Sequence, residues 1–217
     1  MTKRGFTLIE LLVSMAIFMM AISIALFATI GSNSLIDKAN TRSALVESSR
    51  SVTDGLTRLT TDASYAGVKI LKADGTDAGA AVGVALLVRV YNPALGQNLC
   101  ELIGRASQTT DATGQPLYAL ANDNAGTYIA MWIYSLNNAG ICDTTNLTPY
   151  LLFQNRLTDQ AVKVTNFQLA MNTLQAGQIG EIRYDLTLQT IAASTGSTAE
   201  GKNASIEVAS GLPVGLN

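Results

Sequence analysis

The chain has 217 residues and a mass of 22.8 kDa, which suits one domain, with or without a membrane anchor, and allows a sizeable core. Hydrophobic residues make up 48% and charged residues 14%, the net charge is -2, and the basic residues are scattered, so no direct nucleic-acid binding through phosphate contacts is expected. Histidine is absent, which excludes His-based general base catalysis and His-ligated metals, and two cysteines without CxxC spacing allow at most a single staple.

The N-terminal segment is the most informative. Met1 to Gly5 is short and carries Lys3 and Arg4, and from Leu11 to Ile36 there is neither a charged residue nor a proline. A helix of about 20 apolar residues, rising about 1.5 Å each, covers the roughly 30 Å of a bilayer core, and Leu11 to Ile30 meets that length. Lys3 and Arg4 on the short side predict a cytoplasmic N-terminus and an extracytoplasmic remainder by the positive-inside bias. Two other readings share the same signals. A cleaved secretory signal has Ser23 and Ala25 as a small-x-small pair, and a plain one-pass anchor would carry Glu10 incidentally. Glu10 argues against both, because a carboxylate near the start of an apolar run is costly beside lipid and needs a reason.

Lys3-Arg4-Gly5-Phe6-Thr7-Leu8-Ile9-Glu10 resembles the class III signal of type IV prepilins and type II secretion pseudopilins. The resemblance covers about the first 40 residues. It implies that a membrane-embedded prepilin peptidase cuts between Gly5 and Phe6 and methylates the Phe6 amine, and that Glu10 is an assembly determinant. It further implies a bacterial inner-membrane subunit, single-pass and later polymerised. Its partners would be other pilins or pseudopilins, the peptidase, the inner-membrane assembly platform and membrane lipid. The chemistry agrees: cleavage leaves an ammonium at the start of an apolar helix, and Glu10, four positions on, supplies the opposite charge to its own or an adjacent terminus. A carboxylate resting near headgroups is the blander alternative.

After Ile36 the composition becomes amphipathic. Leu45, Val52, Leu56, Leu59, Ala63 and Ala66 fall on one helical face, and Arg50, Asp54, Arg58 and Asp62 form an i,i+4 charge ladder on another, worth about 0.2–0.5 kcal/mol per pair. Gly67 is a natural stop. A helix from Phe6 to Ala66 would be roughly 90 Å long. Beyond it, residues 82–91, 127–135, 162–171, 179–191 and 204–209, with a shorter segment near 149–154, read as strands. Lys72 to Ala80, Ser107 to Gln115 and Thr195 to Asn203 read as loops. The expected fold is α+β, an antiparallel sheet head packed on the second half of a long N-terminal helix. The expected organisation is leader 1–5, membrane or filament-core helix 6–36, amphipathic helix 37–66 and head 67–217.

The run from Leu56 through Arg58, Leu59 and Asp62 to Gly67 is similar to the helix end of PilW-like minor pilins and J-type pseudopilins. Val164 to Leu169 followed by Ile182 to Leu188 is similar to their C-terminal strand pair. The chain departs from the first pattern at Thr61 and Ala63 to Tyr65, and has Phe27 where many major pilins carry a helix-breaking proline. Both departures favour a minor pilin, and Glu10 argues against the tip pseudopilin, which lacks this glutamate.

No nucleophile elbow, phosphate loop, dinucleotide fingerprint or metal-ligand cluster is present, so neither an enzyme nor a cofactor is expected. Asp74 and Asp77, or Asn122-Asp123-Asn124, offer oxygens for Ca²⁺ but lack the downstream bidentate glutamate, and turn chemistry accounts for them without an ion. Tyr128, Trp132 and Tyr134 share a strand face and read as core or sheet surface. Cys100 and Cys142 lie in the head, where an extracytoplasmic address permits a disulfide; two buried free thiols are the alternative.

Overall fold

The computed structural model describes residues 7–62, 67–79, 81–110, 116–121, 128–144, 150–175, 178–191 and 205–213. The chain divides into two compact units, Met1–Arg42 and Ser43–Asn217. A long helix, α1 (Leu8–Asp62), is followed by β1 (Val68–Leu71), β2 (Ala85–Asn92), β3 (Gln97–Thr110), β4 (Pro116–Leu120) and β5 (Tyr128–Ser135). Then come β6 (Leu151–Arg156), β7 (Val162–Gln175), β8 (Gln178–Thr190) and β9 (Ser205–Pro213). This is the α+β, pilin-like order: a long apolar N-terminal helix, then an antiparallel β domain.

α1 runs through Gly31 and Gly55 because no proline interrupts its hydrogen-bond ladder. Its hydroxyls are absorbed locally: Ser14, Ser23, Thr29 and Thr41 each donate to the carbonyl four residues back, at 2.7–2.8 Å. In the second unit, Leu45, Val52, Leu56 and Leu59 are buried, so the predicted apolar face is the packed one. Ala63 and Ala66 lie outside the described residues. The charge ladder holds only in part. Arg50 and Asp54 pair at 3.6 Å, but Arg58 leaves the ladder for Glu101 on β3 at 2.8 Å. A cross-element carboxylate that is largely shielded is a stronger partner than a solvated i,i+4 neighbour.

Two sheets cover this helix face. One has the order β1-β2-β3-β5-β6, with β4 paired to β3; the other is β7-β8-β9, and every pairing is antiparallel. They meet where Gly83 and Leu169 exchange two backbone hydrogen bonds of 2.9 Å. Glycine is required at 83 because a Cβ there would collide with the Ile70 side chain and the Leu71 carbonyl. The inner core joins Leu45, Val52, Leu56 and Leu59 to Ile70, Val88 and Ile103 of the first sheet and Phe167, Leu169 and Leu186 of the second. Leu56→Ala should cost about 2–5 kcal/mol, because a fully buried leucine leaves a cavity between helix and sheets. Urea unfolding of the detergent-solubilised protein would measure it, and a loss under 1 kcal/mol would show that Leu56 is not packed as described.

The strand readings need three corrections. β1, β3 and β4 were not anticipated, and Ser107 to Thr110, expected in a loop, extends β3 and pairs with β4. β3 carries Glu101, Gly104 and Arg105, which lower its apparent β-propensity. Each is explained by packing. Glu101 meets Arg58, Gly104 admits the close approach of Ala85 and Leu120, and the buried Arg105 guanidinium donates to the carbonyls of Val164 and Thr165 at 3.2 and 3.5 Å. Gly67 does not take the left-handed turn expected of a helix stop; a Cβ there would come within 3.1 Å of the Arg89 backbone oxygen. The Thr195 to Asn203 loop lies outside the described residues.

The outer face of the larger sheet has its own core of Leu71, Leu87, Cys100, Leu102, Ala106, Trp132 and Tyr134. Leu136, Cys142, Tyr150 and Leu151 pack over it, so the connection after β5 acts as a cover. Cys100 on β3 and Cys142 in that cover are joined by a disulfide, S–S 2.02 Å, across a sequence separation of 42. Thr144 fastens the same cover to the turn at Gly75, donating to its carbonyl at 2.7 Å.

Candidate functional site

From Leu8 to Ile36 the large apolar side chains of α1 are exposed, with Leu8 81% and Phe27 77% accessible. Burying one such side chain is worth about 1.5–3 kcal/mol, so a continuous run of them requires lipid or other helices around it. The helix is long and apolar enough to cross a membrane.

At the start of this helix the structure pairs two of the motif residues. Thr7 is the N-cap: its backbone N–H and its hydroxyl both donate to Glu10 Oε2 at 2.9 Å, and the Glu10 amide points back to the Thr7 hydroxyl at 3.4 Å. The Thr7 carbonyl accepts from the amides of Glu10 and Leu11 at 3.1 and 3.3 Å. This is a capping box, with two of the first turn's orphan donors, the Thr7 and Glu10 amides, meeting reciprocal side-chain acceptors. The sequence signal for this box is Thr-x-x-Glu before an apolar run, a local role for Glu10 beside the ammonium-pairing and headgroup readings. Both described bonds to the carboxylate end on Oε2, which leaves Oε1 as an acceptor. Lys3, Arg4, Gly5 and Phe6 lie outside the described residues.

The other candidate residues fall elsewhere and serve local structure. Asp74 accepts from the Thr76 amide and hydroxyl at 2.9 and 2.5 Å, and the Thr76 hydroxyl bond, then its amide, holds the Asp74 carboxyl below the usual range. Asp77 accepts from the Gly79 amide at 2.8 Å and faces Lys69 at 3.7 Å. These are Asx turns. No cluster of metal-ligating side chains occurs among the described residues, and Asn122-Asp123-Asn124 lies outside them.

Trp132 and Tyr134 are core residues, and the partly exposed Tyr128 ring carries the Arg156 guanidinium 3.5 Å above its centre. The Tyr134 hydroxyl is buried and finds no hydrogen-bond partner among the described residues; burial, then the nearby Asp143 carboxylate, raises its pKa. The unfolded chain would release this proton from about pH 10 and the folded one only higher, so stability is full below pH 10 and falls above it. Tyr134→Phe should therefore be neutral or stabilising at pH 7 and should flatten the alkaline fall in melting temperature. An unchanged alkaline profile would show that Tyr134 is not the titrating group.

The exposed apolar helix is available for burial in lipid or against other helices. Residues 1–26 match the family described as the prokaryotic N-terminal methylation motif. The match indicates a pilin-type subunit of the kind processed by prepilin peptidase, and with the apolar helix it supports membrane-anchored localisation. No curated protein and no solved structure showed significant similarity to the chain.

Proposed function

We propose that the protein is a minor structural subunit of a type IV pilus or a related filament, matured by prepilin peptidase and assembled through α1. A type II secretion pseudopilus is the alternative filament, since the same processing motif serves both. Residues 1–5 are the leader, cut before Phe6, which becomes the N-methylated terminus. Residues 6–36 form the membrane and then filament-core helix, 37–66 the helix wall of the head, and 67–217 the head. The N-terminus is cytoplasmic and the head extracytoplasmic in the bacterial inner membrane. Its partners are other subunits, the peptidase, the assembly platform and lipid. The role is structural, with no catalytic step assigned.

The observation that carries this reading is the methylation motif over residues 1–26 leading into an apolar helix whose first turn is closed by Thr7 and Glu10. Intact-mass measurement of the protein extracted from membranes tests it. The chain should lack Met1 to Gly5 and carry one added methyl group on Phe6. An N-terminus inside the apolar helix, as a cleaved secretory signal would leave, would falsify the reading.

A further inference from the structure

α1 contains two glycines in very different surroundings. A Cβ at Gly55 would lie 3.0 Å from the Ile103 side chain and 3.5 Å from that of Leu157, so the head packs against the helix there and holds it closed. A Cβ at Gly31 would meet nothing within 4 Å. Gly31 also opens the run Gly31-Ser32-Asn33-Ser34, four consecutive residues of low helix propensity. Glycine leaves the backbone free, and serine and asparagine side chains compete for its hydrogen-bonding groups.

Poor helix formers further along α1 are supported by packing. Ser48, Ser49 and Thr60 are buried, and Ser48 Oγ accepts from the Asp159 amide at 2.9 Å. Residues 31–33 and 35–40 are exposed, and the first buried residue of α1 among the described ones is Leu45. Lipid does not replace the missing support. The span long enough for a bilayer core ends at Ile30, and only within that core is there no water to take over an opened backbone bond. Asp37, Lys38 and Arg42 keep the next stretch in water. Residues 31–42 make about 18 Å of helix at about 1.5 Å per residue, too short to hold itself closed without packing.

We propose that α1 opens locally at Gly31–Ser34, a water-facing joint between a segment held by lipid and a segment held by the head, while both flanking segments stay helical. The inference rests on the membrane reading of the apolar segment. The hydrogen-bond ladder is closed across these residues in the structure, and its opening is a local excursion that amide exchange reports. Such a joint uncouples the direction of the anchoring helix from that of the helix wall of the head.

The test is amide hydrogen exchange, read by mass spectrometry, on the full chain in phosphatidylcholine nanodiscs. Protection at residues 31–36 should be at least about tenfold lower than at 45–59, with residues 13–28 strongly protected by lipid. Joint replacement Gly31→Ala, Ser32→Ala and Asn33→Ala raises helix propensity at an open site, so exchange at 31–36 should slow by about tenfold or more. Protection at 45–59 should not change, which also checks that the variant is folded. Equal protection at 31–36 and 45–59 in the wild type, or exchange at 31–36 unmoved by the triple replacement, would overturn the joint alone. Fast exchange throughout 13–28 would overturn the membrane reading and the joint with it.

Discussion

Reduction of the protein, or joint replacement of Cys100 and Cys142 by alanine, is expected to destabilise the head by about 2–5 kcal/mol and to shift the emission of its single tryptophan to longer wavelength. In the chain-entropy treatment, closing a loop of this length restricts the unfolded state by about 4 kcal/mol. For a domain whose total stability is of order 5–15 kcal/mol, this is a large share, and the melting temperature should fall by on the order of 10 °C. The optical change has a local origin. Trp132 sits in the outer core beneath the cover that Cys142 anchors, and Leu136, Tyr150 and Leu151 reach that core from the same stretch of chain or the strand after it. With the tether cut, the cover loses its covalent anchor and keeps non-covalent contacts such as the Thr144 to Gly75 hydrogen bond, and water gains access to the indole. Thiol counting on protein unfolded without reductant should find no free thiol before reduction and two after it. Two free thiols at the outset, or an emission maximum indifferent to reductant, would mean that the outer core is closed by packing alone.

Much of this architecture was legible in the sequence because its signals are periodic and uninterrupted. The absence of proline and of charge from Leu11 to Ile36, followed by Leu45, Val52, Leu56 and Leu59 on one face, marks a single helix with two different environments. β5 and β8 were legible for a related reason, since their runs of β-branched and aromatic residues have few competing readings. β3 was hidden because its departures from strand composition are satisfied only by residues far away in sequence: Arg58 for Glu101, the β7 carbonyls for Arg105, and Ala85 and Leu120 for the missing side chain at Gly104. No local window contains that information. β1 was short and followed a turn-rich segment, and β4 lay behind a Thr- and Gly-rich stretch that reads as loop. The outer core was legible only in its parts, Trp132 and Tyr134 on one strand face and a permitted Cys100–Cys142 disulfide, because its assembly depends on a connection folding back over a sheet face.

At the N-terminus, the motif named the residues but not the division of labour within Glu10. Its carboxylate has a local task, closing the first turn with Thr7 through Oε2, and a second oxygen not used in that task. The two tasks separate by mutation. Glu10→Gln keeps an oxygen able to cap, since glutamine also serves in a capping box, but removes the charge that a free Phe6 ammonium would need in an apolar setting. Thr7→Val removes the cap, at a cost of about 1 kcal/mol to the first turn, and keeps the carboxylate. If assembly uses the charge, Glu10→Gln should insert in the membrane and fold its head normally yet be lost from filaments, by tenfold or more. Thr7→Val should then be incorporated at close to the wild-type level. If Glu10 only caps the helix, Thr7→Val should be the more damaging of the two.

The most direct measurement is an immunoblot of filaments sheared from cells and separated from membranes, with total cell protein as the reference. The account predicts wild-type chain in the sheared fraction and Glu10→Gln confined to the membrane fraction; wild-type levels of Glu10→Gln in sheared filaments, or wild-type chain that never leaves the membrane, would contradict it.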